Sequence, residues 1–386
     1  MSCSMENYLK IVTPYLHPDL VSPEALSHIQ PLAQILPPTS VGGFECRLGA
    51  TQSRVDLQVS IPRLTLNLPQ RFLTHPVWQF FQDLCQEWSE PTSFLYQGVE
   101  RIWMEFDLDG ELFSLPVPCI FLLFNQKIVM DAQSLIETTS RLLNYPVSPP
   151  IESNLRRCAD FLPAGAKISH LGAMLSRQAN AVRLNVEGIS PLQLPDYLVQ
   201  IGWSDPSNTL STLVSNLSEF VDYIYLSFDV GDTILPRIGL ECYLHKPPTH
   251  EFKWQLFLDY LVEQELCTSA KKDALLCWYG FTKKSSVADL WPSNISVCDR
   301  LFGSGAKSVF WRRLSHIKLV YQPGIPLEAK GYLGFGHSWV KNNTLPKQEQ
   351  PKNEKDELSF EKSAPRNRNL FSSAIMRDEA RNSVSL

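Results

Sequence analysis

Five times along this chain, two β-prone runs follow one another across a short turn, and between these pairs the sequence turns helical. The pairs are 44–48 with 54–61, 101–108 with 117–124, 168–175 with 181–187, 223–229 with 238–244, and 316–322 with 329–336. Strands joined by short turns are antiparallel neighbours, so a parallel βαβ sheet is a poor fit. The turns carry the expected breakers: Asp109-Gly110, Gly231 to Pro236, and Pro323, Gly324 and Pro326. Apolar residues at helical spacing mark helices over 22–35, 77–88, 131–143, 153–162, 191–201, 209–220, 251–262 and 270–278. Residues 281–313 read as irregular, with short helices near 287–290 and 307–312.

The recurring unit is helix–strand–strand–helix, an αββα repeat. Five copies give an α+β fold of ten antiparallel strands. Such strands either form open two-layer sheets or close into one wide ten-stranded antiparallel β-barrel with the helices outside, which removes every sheet edge. The strand faces favour closure. Trp103, Glu105 and Asp107 alternate with Ile102, Met104 and Phe106. Tyr223, Tyr225, Ser227 and Asp229 alternate with Ile224, Leu226 and Phe228, and Arg183, Asn185 and Glu187 alternate with Val182, Leu184 and Val186. Helices packed outside demand an apolar outer face, which turns the polar set toward a lumen. The organisation is a helical and irregular lead-in over 1–40, a barrel domain over 41–340, and a polar, mixed-charge tail over 341–386 that reads as disordered.

Composition narrows the function classes. A net charge of −5 argues against nucleic acid as the partner. No run of about 18 apolar residues is present to span a membrane. The start MSCSMENYLK lacks a basic stretch followed by an apolar one, and the cysteines are single, so a reduced, cytoplasmic chain is expected. There is no GxSxG, no acidic DDxxD pair and no zinc-like spacing; Gly303 to Ser308 lacks the spacing of a phosphate loop. His170, His316 and His337 lie on strands and read as packing residues.

The last hairpin carries Lys318, Lys330 and Tyr332, and the last two share a strand face. Lysines there need water or an anion. Tyr321 has the opposite parity to Lys318 and should point away from it. Asp107, Asp109 and Asp229 adjoin turns and are expected to cap them.

Five αββα units with Lys, Arg and Tyr on the strands resemble the ABBA (PT-barrel) prenyltransferases, which act on aromatic small molecules and peptides. The resemblance covers about residues 40–340 and includes the Lys330-x-Tyr332 pair. It implies transfer of an allylic isoprenoid from dimethylallyl, geranyl or farnesyl diphosphate to an electron-rich small-molecule or peptide acceptor, such as a peptide natural-product (RiPP) precursor. It implies diphosphate binding by Arg47, Arg183, Lys318, Lys330 and Tyr332. Tyr223 and Tyr225 would shield the allyl cation, and Glu105, with Asp107 second, would be the catalytic acid–base near the acceptor. No cofactor is required and no metal ligands are assigned, although Mg2+ bridging the diphosphate is compatible with converging carboxylates. The many acids on the strands depart from the family pattern. Two other readings follow from them: a non-catalytic barrel that binds a peptide or lipid, and a metal-dependent enzyme using lumenal carboxylates.

Overall fold

The computed structural model describes residues 4–341, apart from 40, 52, 62, 64–67, 69, 109–115, 178–179, 207–208 and 303–305. The tail beyond 341, the Asp109-Gly110 turn and the glycine-rich stretch at 303–305 therefore lie outside the described residues. Eleven strands form one antiparallel sheet: β1 Val41–Arg47, β2 Val55–Ile61, β3 Val99–Phe106, β4 Cys119–Phe124, β5 Lys167–Ala173, β6 Val182–Glu187, β7 Tyr223–Val230, β8 Ile234–Tyr243, β9 Gly280–Lys283, β10 Ala306–Tyr321 and β11 Glu328–Lys341. The order is β11-β1-β2-β3-β4-β5-β6-β7-β8-β10, and β10 pairs with β11 as well, so ten strands close into a barrel. The closing seams are Val41↔Gly336 through Arg47↔Lys330 and Ile317↔Cys242 through Tyr321↔Ile238.

The fold is thus a closed ten-stranded α+β barrel. The last hairpin is longer than the sequence pattern implied. Residues 307–312 are strand, not helix, because this half of β10 pairs with β11 on one side and with the short β9 on the other. Tertiary pairing overrides a weak local signal there. Gly324, at φ 74, supplies the left-handed residue in the turn between β10 and β11. Three helices escaped the sequence reading: Met5–Val12, Phe94–Gly98 and Ser293–Phe302.

Period-two alternation does the sorting. Leu57, Ile102, Phe106, Leu122, Leu171, Leu184, Leu226, Leu240 and Leu319 are fully buried on the outer strand face. Helices cover that face, and their starts are set by local chemistry. Asp131 Oδ1 accepts from Ser134 N at 2.7 Å to cap Ala132–Leu143, which ends at Asn144 in the left-handed region (φ 61). Pro76 opens Pro76–Ser89, and Thr268 caps Ser269–Cys277. The helical tryptophans are core residues with satisfied indoles. Trp78 donates to Pro116 O at 3.2 Å, Trp254 to Lys246 O at 2.8 Å, and Trp278 to Arg313 O and Gly334 O, both at 3.1 Å. The helix Met5–Val12 packs into the same layer, with Tyr8 edge-on to Phe310 at 5.2 Å.

Trp78 is fully buried, edge-on to Phe72 and Phe81 and stacked on Phe106 of β3. Trp78→Ala should cost about 3–5 kcal/mol of unfolding free energy, read as a lower midpoint in guanidinium denaturation.

Candidate active site in the barrel lumen

The inner strand face encloses a cavity of about 630 Å³. The arrangement of its walls follows from register, since residues directly opposite on neighbouring strands point the same way, with Cα atoms about 4.5–5.5 Å apart. One row crosses five strands as Tyr225, Glu241, Lys318, Lys330 and Arg47. The adjacent row contains the facing pairs Tyr223↔Tyr243 and His316↔Tyr332, then Glu45 and Asp56. The rings of this second row stack continuously. Tyr223 lies on Tyr243 at 5.0 Å and 6°, Tyr243 meets His316 at 4.6 Å, and His316 meets Tyr332 at 4.0 Å and 17°. A basic row therefore runs beside an aromatic one.

Each cation of the basic row has a carboxylate partner. Lys330 Nζ lies 2.8 Å from Glu45 Oε1, and Tyr332 Oη donates to Glu45 Oε2. Arg47 reaches Glu45 at 3.0 Å and Asp56 at 2.7 Å, and Lys318 reaches Glu241 at 3.1 Å. Toward the hairpin turns, Arg54 bridges Asp56 (3.1 Å) and Asp107 (2.8 Å). Arg177 bridges Asp107 (2.6 Å) and Glu105 (3.1 Å), and Gln58 donates to Glu105 at 2.8 Å. Arg183 grips Asp229 with two bonds of 2.7 and 2.9 Å, and Arg237 meets Glu328 at 2.9 Å.

Burial and charge compete at each carboxyl. At Glu45 burial pushes the pKa up, but Lys330 and Arg47 and the bonds from Lys330 and Tyr332 win, holding it well below the usual range. Glu241 is brought down to about 2 against burial, chiefly by Lys318. Glu105 goes the other way: burial and the nearby Glu45 charge raise it despite Arg177. Burial likewise raises Asp56. Burial, with the nearby Lys318 charge, brings His316 down to about 4 against the pull of Glu241, so it is neutral at pH 7.

The register brings together Arg47, Lys318, Lys330 and Tyr332, with Arg183 on the same cavity wall. Glu105 lines the cavity too, while Asp107 sits at its mouth under Arg54 and Arg177. Tyr223 and Tyr225 contact one another and Tyr243. Two turn expectations are corrected. Asp229 binds Arg183 across the strands, and Asp107 accepts from Arg54, Arg177 and Ser176, because a charged guanidinium competes for a carboxylate better than a turn amide does. Tyr321 points outward as its parity requires, donating to Asp205 at 2.8 Å. Glu45, Tyr243 and Arg177 were missed. Glu45 and Tyr243 were readable from parity, two residues from Arg47 and Glu241. Arg177 sits on the short 3-10 turn Leu175–Arg177, outside the strands, where alternation says nothing.

Asp56, Glu105 and Asp107 bring one carboxylate oxygen each within 4.8 Å of one another, a grouping able to hold a metal ion. Arg47, Arg54 and Arg177 already contact these carboxylates, so an ion would have to displace guanidinium groups.

No protein-family model matches the chain, and no curated protein matches its sequence. Among solved structures the chain is similar to AnaPT from Neosartorya fischeri, at 12% identity and TM-score 0.48, over 85% of this chain and 90% of that one. It is similar to the prenyltransferase PriB at 13% and 0.48, over 85% and 93%. It is similar to 5-dimethylallyl tryptophan synthase from Streptomyces coelicolor, in complex with DMASPP and Trp, at 13% and 0.40, over 85% and 88%.

The buried histidines set an acid limit. His316 and His337 both titrate near 4 in the fold against 6.5 ordinarily. Between those values the unfolded chain binds more protons, so stability falls as pH drops from 6.5 to 4. Thermal melts over that window should show the decline, and His316→Phe should make it shallower, leaving the share due to His337.

Proposed function

We propose that the barrel is a prenyltransferase that moves an allylic isoprenoid from its diphosphate to an electron-rich acceptor. One observation carries this reading: the basic row of Lys318, Lys330 and Arg47 lies directly beside the stacked row of Tyr223, Tyr243, His316 and Tyr332, on the inner strand face of a closed barrel. An allylic diphosphate has the same two halves, an anionic head and an apolar tail that becomes cationic.

In the reaction the carbon–oxygen bond breaks and its electron pair leaves with the diphosphate. Lys318, Lys330, Arg47 and Tyr332 stabilise that departing charge, with Arg183, which lines the same cavity, able to join them. The aromatic row, with Tyr225, faces the allyl cation and keeps water away. The acceptor's π-system or lone pair forms the new bond, and its proton goes to a carboxylate. Glu105, whose affinity for protons is raised by burial, suits that role at the cavity wall. The basic side chains supply the charge that a metal would otherwise bring. If Mg2+ accompanies the donor, Asp56, Glu105 and Asp107 would hold it.

A second reading has its own observation. The cavity's seven cations (Arg47, Arg54, Arg177, Arg183, Arg237, Lys318, Lys330) are each paired with a carboxylate. A lumen balanced in this way also fits a carrier that binds a peptide or lipid without turnover. Mass spectrometry separates the two. The protein is incubated with dimethylallyl, geranyl or farnesyl diphosphate and tryptophan, tyrosine or short peptides, with and without EDTA. Mass gain on an acceptor supports transfer. No gain with any donor, together with no heat of diphosphate binding by calorimetry, overturns it.

Lys330→Met should lower transfer by about 10²- to 10³-fold, as expected for loss of one preorganised contact to the developing charge. The change also leaves Glu45 buried without its lysine and so destabilises the fold. The Glu45→Gln/Lys330→Met pair should restore thermal stability but not transfer.

A further inference from the structure

Arg312 departs from the pairing that the cavity's cations follow. It lies on β10 directly opposite Gly280 of β9 and Phe335 of β11, so it points to the helix-covered face and away from the lumen. It is 5% exposed, yet among the described residues it makes no ion pair with a carboxylate. Nη1 donates to Thr282 Oγ1 at 2.8 Å, and Nε is buried without a hydrogen-bond partner. Burial without a counter-charge brings its pKa down to about 10. A buried charge left in this state is costly to the fold.

Its surroundings form a cradle. At Gly280 a Cβ would come 2.5 Å from Arg312 Nη2, so only glycine leaves the guanidinium room beside β9. The rings of Tyr15 and Trp278 lie 3.6 Å and 5.8 Å from the guanidinium carbon. Trp278 shares its indole N–H between Arg313 O and Gly334 O and is 1% exposed, as is Thr282. Tyr15, the last residue of the 3-10 turn Thr13–Tyr15, is 42% exposed. The cradle is thus built from buried groups and covered toward solvent by one exposed ring.

We propose that Arg312 is a binding site for a small organic carboxylate, separate from the lumen and reached by lifting Tyr15. A guanidinium presents Nε and Nη2 side by side, and a carboxylate has the matching pair of acceptors. That edge carries the unbonded Nε. A single guanidinium with one hydroxyl beside it matches one planar negative charge, not the dense charge of a phosphate. The bound carboxylate supplies the counter-charge that the fold itself omits, and the N-terminal turn that carries Tyr15 shifts to admit it. The site does not depend on the prenyl-transfer reading.

The test uses the full chain at neutral pH, with sodium acetate as the probe. Acetate should raise the melting temperature above that in sodium chloride of equal ionic strength, and sodium phosphate should not. Arg312→Met should abolish the acetate increment, and Tyr15→Ala, which removes the cover, should tighten acetate binding about tenfold. Equal increments in wild type and Arg312→Met mark a general salt effect and overturn the site, as does no increment in either wild type or Tyr15→Ala. Phosphate as effective as acetate overturns the carboxylate class. A second measurement holds even if Arg312→Met fails to fold. In ¹⁵N-arginine-labelled wild type, acetate and not chloride should move the Nε–H signal that Arg312→Lys removes; an unmoved signal overturns the proposal. No arm uses an allylic diphosphate, so failure here leaves the prenyl-transfer reading standing.

Discussion

Taking an isolated charge out of water costs several kcal/mol, and this barrel buries Glu45, Arg47, Asp56, Glu105, Glu241 and Lys318 around one lumen. Pairing is what makes the interior habitable. The pairs Glu45–Lys330, Glu241–Lys318 and Arg183–Asp229 join different strands, so each also reports strand register. A slip of one residue in β11 would turn Lys330 and Tyr332 outward among leucines and strand Glu45 inside. Closure and the charge network therefore depend on each other. The hydrogen-bonded seam between β1 and β11 aligns the pairs, and the pairs penalise every other alignment.

The same pairing shapes what the lumen can do. A cation already holding a carboxylate gains less from an arriving anion than a bare one would, which weakens resting affinity. It also gains something in selectivity. On the prenyl-transfer proposal, a diphosphate is dense enough in charge to compensate for breaking several pairs at once, whereas a simple carboxylate is not. On the same proposal, the aromatic row adds a second requirement, an apolar body of the right reach beside the anionic head.

Much of this was legible from alternation. The polar sets at Trp103–Glu105–Asp107 and Tyr223–Tyr225–Ser227 and the lysines at 318 and 330 announced an inward polar face, because period two admits only two faces and the helices needed the apolar one. Parity also placed Tyr321 outside. What stayed hidden came from contacts remote in sequence. Residues 307–312 became strand only through β9 and β11, and Arg177 enters the site from a turn with no periodicity to read. Asp229 sits where turn chemistry and a cross-strand arginine both wanted it, and only three-dimensional proximity settled which prevailed.

The closing seam joins the first strand to the last, and the Glu45–Lys330 bond spans 285 residues of sequence. Loop closure over that distance comes late in folding, after the local hairpins have formed. During synthesis β1 waits with an open edge and Glu45 without its lysine until the final hairpin emerges. A chain shortened before β11 would therefore lose more than one strand: it would present two unpaired edges and leave Glu45 without Lys330 and Tyr332, a species prone to associate with its own copies. The C-terminal hairpin thus acts as a completion check, making binding competence and aggregation resistance appear in the same step.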